Sequence, residues 1–282
     1  MLIDGGGFSE SAFDTGKAVV APFLYHERIS NIDTAVLSHP HPDHLLGLIY
    51  IMNNLNVRQV WRSNLPIDLE DYPEWEKAIK LNNINVFLVS NHGHELLREL
   101  RRSNPPLDGV VQPTNSAARH IRNLSFNNNF PEKIFNGVRV DVLWPPNYSI
   151  RELNNLSDDE VNDSSLVLKI TFGKVSFLIP GDISADVEKQ LIKSGADLRS
   201  DVLVVPHHGS AYSSSAEFIK TVACRFAIVS AGKANVFHHP LPSILQRYND
   251  AGVNIFRTDR DGAVTFTTDG NNLLLNTFIK HR

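Results

Sequence analysis

The sequence predicts a mixed α/β fold built in layers, with its chemistry gathered where strands run out. Three observations carry this. Short apolar runs alternate with amphipathic stretches of helical period along most of the chain. The histidines and aspartates able to do chemistry stand directly after those runs. And 282 residues with 42% hydrophobic content can bury a full core, so one large domain is the default.

Taken in order, the apolar runs predict strands over 34–37, 57–61, 84–89, 138–143, 166–172, 175–179, 201–205, 226–229, 253–256, 263–267 and 273–278. Gly173-Lys174 is a two-residue link between two of them, and glycine in first place favours a type II′ hairpin turn. Helical periodicity predicts helices over 45–53, 74–81, 185–193, 215–222 and 243–250, the second opened by Pro73 at a position suited to a helix start. Between 91 and 132 the pattern breaks into an asparagine- and arginine-rich stretch that reads as a polar insertion. Leu96, Leu97 and Leu100 there share a helix with Arg98, Arg101 and Arg102, a solvated face that is also the best basic patch on the chain. His92 and His94 in the same stretch read as loop residues.

A formal charge of −4 argues against coating a polyanion by bulk electrostatics, so nucleic acid would have to be met by a local patch or by metal ions. Cys224 is the only cysteine, which rules out an internal disulfide or a cysteine-based metal cluster and leaves histidines and acids as ligands. No stretch approaches the ~18–20 apolar residues of a membrane span, and the start lacks signal-peptide character, so a soluble piece is expected. The opening Met1-Leu2-Ile3-Asp4-Gly5-Gly6-Gly7 reads as a strand tail entering a glycine turn, as in a fragment of something longer that lacks its first strands.

The most informative run is Ser38-His39-Pro40-His41-Pro42-Asp43-His44, with three imidazoles and a carboxylate after an apolar strand. Imidazole with carboxylate suits zinc, or manganese where oxygen dominates, and a turn that splays alternate side chains can serve two ions. Further donors should come from other strand ends, and three loops qualify: Ile179-Pro180-Gly181-Asp182, Pro206-His207-His208-Gly209-Ser210 and Phe237-His238-His239-Pro240. Each is weak alone, but their order and placement reinforce one another.

This ordered set resembles the metallo-β-lactamase superfamily, whose H-x-H-x-D-H signature, later glycine-aspartate and late histidine are matched by His39, His41, Asp43, His44, Asp182 and His239. Leu2-Ile3-Asp4-Gly5-Gly6, Leu143-Trp144-Pro145-Pro146, residues 162–167, the Pro206 to Ser210 run, His239-Pro240 and Phe256-Arg257-Thr258-Asp259 with Asp261-Gly262-Ala263 look like the C-terminal domain of ComEC-type DNA-internalisation competence proteins. The resemblance implies a four-layer αββα sandwich and a parent protein with a channel domain in the cytoplasmic membrane. It also implies that His39 and His41 hold a first ion and Asp43 and His44 a second, while Asp182 bridges and His239 completes the second site with His238 as fallback. A histidine usual in the superfamily is replaced around Asn162-Asp163-Ser164-Ser165, so manganese becomes as plausible as zinc.

Two divalent ions, zinc or manganese, would make water acidic enough to ionise near neutrality and would offset the charge of a phosphodiester. Asp43, His207 and His208 are the candidate catalytic residues, the two histidines as general acid or phosphate clamp. Gly209 and Ser210 with Lys233 and Arg257 are candidate phosphate contacts, and the serines 213–215 before a helix could offer backbone N–H groups. The leading expectation is a metal-dependent phosphodiesterase acting on DNA, single-stranded for preference, during uptake. The alternatives are a hydrolase of a small ester, lactone, thioester or phosphodiester, and a non-catalytic domain that guides DNA to a channel.

Overall fold

A computed structural model of the chain describes residues 1–8, 12–63, 65, 73–90, 134–145 and 157–280. The insertion expected at 91–132, with its arginine helix and His92 and His94, lies outside the described residues. The chain separates into two compact units, one made of residues 1–131 with 146–156 and the other of 132–145 with 157–282. The fold is mixed α/β, as expected, with a principal sheet and attached helices in each unit.

The first unit begins with β1 (Leu2–Ile3), a π-helical turn (Gly16–Val20) running into α1 (Ala21–His26), β2 (Asn31–Ile32) and β3 (Ala35–Leu37). It continues through α2 (Pro42–Asn54), β4 (Asn56–Val57), β5 (Gln59–Arg62), α3 (Pro73–Leu81) and β6 (Asn85–Leu88). Its main sheet has the order β1-β3-β5-β6 with parallel pairs throughout, so the ends of β1 and β3 lie side by side. Helix α2 starts three residues before the periodicity suggested, because Pro42 occupies its first turn, where a missing N–H costs nothing. Asp43 and His44 therefore sit on the helix and not in the preceding turn. Leu45, Leu48, Ile51 and Met52 follow at helical spacing and are fully buried, each stabilising by about 1.5–3 kcal/mol.

Three glycines explain how the β1 end can lie on that helix. A Cβ on Gly47 would overlap the backbone of Gly5, and one on Gly16 would overlap the carbonyl of Gly47. The Gly5 N–H donates to the His44 carbonyl at 2.8 Å, and the Gly47 N–H donates to the Gly6 carbonyl at 2.8 Å. The glycine turn is thus a strap across the first turns of α2.

The second unit contains β7 (Ile134–Phe135), β8 (Val138–Trp144), α4 (Asp158–Asp163), β9 (Val167–Phe172), β10 (Val175–Ile179), α5 (Ala185–Lys193) and β11 (Val202–Val204). A 3-10 turn (Pro206–Gly209), α6 (Ala216–Val222), β12 (Phe226–Val229), α7 (Pro242–Asp250), β13 (Asn254–Arg257), α8 (Thr258–Asp261), β14 (Val264–Thr268) and β15 (Leu273–Thr277) complete it. The sheet order is β13-β12-β11-β10-β9-β8-β7, antiparallel from β7 to β10 and parallel from β10 to β13. In the β9–β10 hairpin Phe172 pairs with Val175, and of the two linking residues only Gly173 has positive φ, as a type II′ turn requires. Val187, Leu191, Phe218, Ile244 and Tyr248 pack the helices on Leu178, Leu203 and Ala227 of the sheet. Cys224 is buried, and burial pushes its thiol up to about 11, so it is inert core. Among the described residues no helix is long and apolar enough to cross a membrane.

Candidate metal centre

In the first unit β3 delivers Ser38 and His39 to the strand end, and β1, its parallel neighbour, delivers Asp4 beside them. The Asp4 carboxylate accepts from the Ser38 N–H at 2.8 Å and from the Ser38 hydroxyl at 2.8 Å. It also holds His44 Nδ1 at 2.8 Å. That bond fixes the proton on Nδ1 and leaves Nε2 as the donor nitrogen, the arrangement a carboxylate imposes on a metal-binding histidine. His39 is 1% exposed and has Nδ1 3.1 Å from the Ser38 hydroxyl. Its Nε2 faces His41 Nδ1 at 3.1 Å. Two nitrogens on a tetrahedral zinc stand roughly 3.3 Å apart for bonds of ~2.0–2.1 Å, so the pair is spaced to share an ion. The His39 and His44 rings are 4.1 Å apart, and Asp43 brings a carboxylate oxygen within 3.8 Å of His44 Nε2. Asp43 and His44 are among the residues whose ligand atoms could hold a metal ion.

In the second unit the parallel run from β10 to β13 puts four C-terminal strand ends on one edge, one strand spacing of about 4.8 Å apart. The β10 end carries Asp182, buried, whose N–H donates to the Ser165 hydroxyl at 3.0 Å. The β11 end carries His207 and His208, both in left-handed backbone with φ 49° and 53°. This is a strained conformation for residues with a side chain, and such strain concentrates at working sites. His207 N–H donates to the Gly181 carbonyl at 3.1 Å. His208 Nδ1 lies 2.8 Å from the Ser230 carbonyl, which can only accept, so Nδ1 carries the proton and Nε2 is left as a donor 3.4 Å from Asp182 Oδ2. Asp182 and His208 likewise have ligand atoms close enough to share an ion.

The His239 ring lies 6.2 Å from that of His207, and its Nδ1 is buried with no hydrogen-bond partner among the described residues. A buried orphan nitrogen is costly, and an ion is one way to satisfy it. Burial, with the neighbouring His207 and His208, lowers the His239 pKa against an opposing pull from Asp182, which favours the neutral ring that metals bind. The donor chemistry and spacings in both units therefore fit divalent ions.

The remaining expected contacts are placed as follows. Gly209 has φ +84°, and a Cβ there would meet Pro240 Cβ at 2.6 Å, so glycine is what lets the β11 loop pass the α7 entry. Ser210 is buried, with its N–H donating to the His207 carbonyl at 2.9 Å. Lys233 and His238 are exposed. Arg257 is gripped by Asp259 through two bonds of 3.0 and 2.7 Å. The backbone N–H groups of Ser214 and Ser215, expected to be open to phosphate, donate to the buried Glu188 carboxylate at 2.5 and 2.8 Å. An internal carboxyl group fills that helix start.

Asp4 and Glu188 are the two supporting carboxylates that spacing did not reveal, since each lies far in sequence from what it braces. Helix α4 had a visible signal, because Ser157 and Glu160 form a capping box, and the S-x-x-E pattern marks it in the sequence.

Residues 1–117 match the metallo-beta-lactamase superfamily model, and the chain has Asp and His residues that could bind metal. The chain is similar to proteins of two bacteria. ComE operon protein 3 of Bacillus subtilis (strain 168) is 28% identical over 276 residues, covering 94% of this chain and 30% of the relative. Competence protein ComA of Neisseria gonorrhoeae is 36% identical over 133 residues, covering 47% of this chain and 18% of the relative. The chain thus spans under a third of the length of these relatives, and the resemblance to a ComEC-type C-terminal domain stands on them. Among solved structures, a mutant of CmlA beta-hydroxylase aligns over 81% of this chain and 43% of its own, with TM-score 0.43 and 14% identity.

Proposed function

We propose that this chain is a metal-dependent phosphodiesterase that cuts DNA, and that it works as part of a longer membrane-channel protein during DNA uptake. Two divalent ions, zinc or manganese, would be held by His39, His41, Asp43, His44, Asp182 and His239, with His208 Nε2 as a further donor beside Asp182. When bound, such ions lower the pKa of water from ~15.7 toward ~7 and offset charge on a phosphodiester. The chain's own groups do the rest. Asp4 holds His44 in one tautomer, Ser165 and the β10 turn hold Asp182, and Ser230 holds His208. His207 is left as the group that protonates the departing oxygen. The observation that carries this reading is the pair of donor sets standing at strand ends, each with the tautomer of a key histidine set by an acceptor behind it. The competence setting is supported by the likeness to Competence protein ComA.

The test is cleavage of single- and double-stranded DNA with manganese or zinc, comparing the chain with His39→Ala and Asp182→Ala. Both changes should abolish cutting while the far-UV circular dichroism stays native, and cutting retained by either variant overturns the assignment. Hydrolysis of a small ester or lactone with no action on DNA would favour the small-substrate alternative. DNA binding without hydrolysis would favour a guiding role.

A further inference from the structure

The loop 230–241 between β12 and α7 exposes apolar surface beside the candidate donors. Val236 is 65% exposed and Phe237 63%. Single exposed apolar residues are ordinary, so what matters is how this pair is held. The Asn235 side chain ties the loop across its base, donating to the carbonyls of Gly232 at 3.0 Å and His239 at 2.7 Å and accepting from the His239 N–H at 3.0 Å. Ala234 and His238, on either side of the apolar pair, have φ 54° and 56°, a left-handed conformation that is strained for a non-glycine residue. The loop is therefore fixed in a strained shape whose result is to hold Phe237 outward.

One side of the Phe237 ring packs on His239, with centroids 6.0 Å apart and planes 23° from parallel. His239 in turn lies one ring step from His207. The aromatic surface thus starts at the candidate centre and ends in solvent. The loop contains no acidic residue in a chain of net charge −4, while Lys233 and His238 on it are exposed. A rigid aromatic ring beside cationic groups is what a ligand with a flat π-face and a phosphate requires.

We propose that Phe237 is a stacking platform for a base of single-stranded DNA adjoining the phosphate to be cut, with Lys233 contacting the backbone. This deepens the phosphodiesterase reading and rests on it for the position of the phosphate. Duplex bases are already stacked and offer no free face, so the platform selects a single strand or a frayed end. Stacking on an aromatic side chain tolerates any base, which suits an enzyme meeting arbitrary sequence.

The experiment uses a single-stranded oligonucleotide carrying 2-aminopurine, whose fluorescence falls on stacking, together with a matching strand that has an abasic site next to the scissile phosphate. The chain, Phe237→Ala and Phe237→Trp are compared for quenching, affinity and preference for the base-bearing strand. Phe237→Ala should weaken binding by about 5- to 100-fold, lose the quenching and lose the preference, while Phe237→Trp keeps all three. If the chain cuts DNA and Phe237→Ala matches it in quenching, affinity and preference, the platform is overturned and the nuclease reading stands. Quenching that depends on Phe237 without any cutting supports the platform and overturns the nuclease. Neither binding nor cutting overturns both.

Discussion

In the first unit the candidate donors ride on regular backbone: His39 at a strand end, His41 at the extended residue before α2, and Asp43 and His44 in the helix's first turn. In the second unit His207, His208 and His238 all adopt positive φ on loops. The difference shows two ways of pre-organising a site. A helix turn fixes its side chains by geometry, and Asp4 adds an outside brace on His44. His207 and His208 are held against their backbone preference, and the compensation is a web of bonds through Glu188 and Ser213, while Asn235 holds His239. Ser213 donates to the Pro206 carbonyl at 2.9 Å, which links the braced serines to the histidine turn.

The contrast can be broken most forcefully at the glycine strap. Gly47→Ala forces a methyl into the Gly5 backbone and should destabilise by at least about 4 kcal/mol, read as a fall in thermal midpoint. Gly232→Ala in the second unit meets open space and should stay within about 0.5 kcal/mol. Equal midpoints for the two variants would show that the strap is not what seats β1 on α2.

The Glu188 brace should show in the pH dependence of stability. Burial outweighs the bonds from Ser215 and Ser214 and the charge of Arg247, raising the carboxyl to about 7. A raised folded-state pKa means its contribution is complete below about 4.5 and lost as pH rises through about 7. Relative to Glu188→Gln, which cannot ionise, the wild-type chain should lose on the order of 3 kcal/mol across that window in denaturant titrations. A pH-independent difference would show that Glu188 is ionised throughout.

A smaller effect is expected from Asp4→Asn. It keeps the size of the side chain but weakens the grip on His44 Nδ1, and should cost about 10- to 100-fold in metal affinity by calorimetric titration. Unchanged affinity would remove Asp4 from the supporting shell.

These contrasts also explain what was legible beforehand. The His39 to His44 run could be read because its donors are contiguous, and strand ends could be read because apolar runs stop abruptly. The start of α2 was misplaced by three residues because prolines at 40 and 42 look like a loop, although a proline at the first helical position is permitted. The π-helical turn and α1 were not anticipated, since Val19, Phe23 and Tyr25 leave apolar groups exposed and blur the amphipathic period. Asp4 and Glu188 act across 40 and 26 residues, and no local spacing encodes contacts at that range.

The central claim is that the donor sets at the strand ends bind divalent ions, and metal content measures it most directly. Elemental analysis of the purified chain after zinc or manganese loading should find two ions per chain, and His44→Ala in the first unit and Asp182→Ala in the second should each bind at least one fewer. Two ions retained at undiminished affinity in both variants would contradict the account.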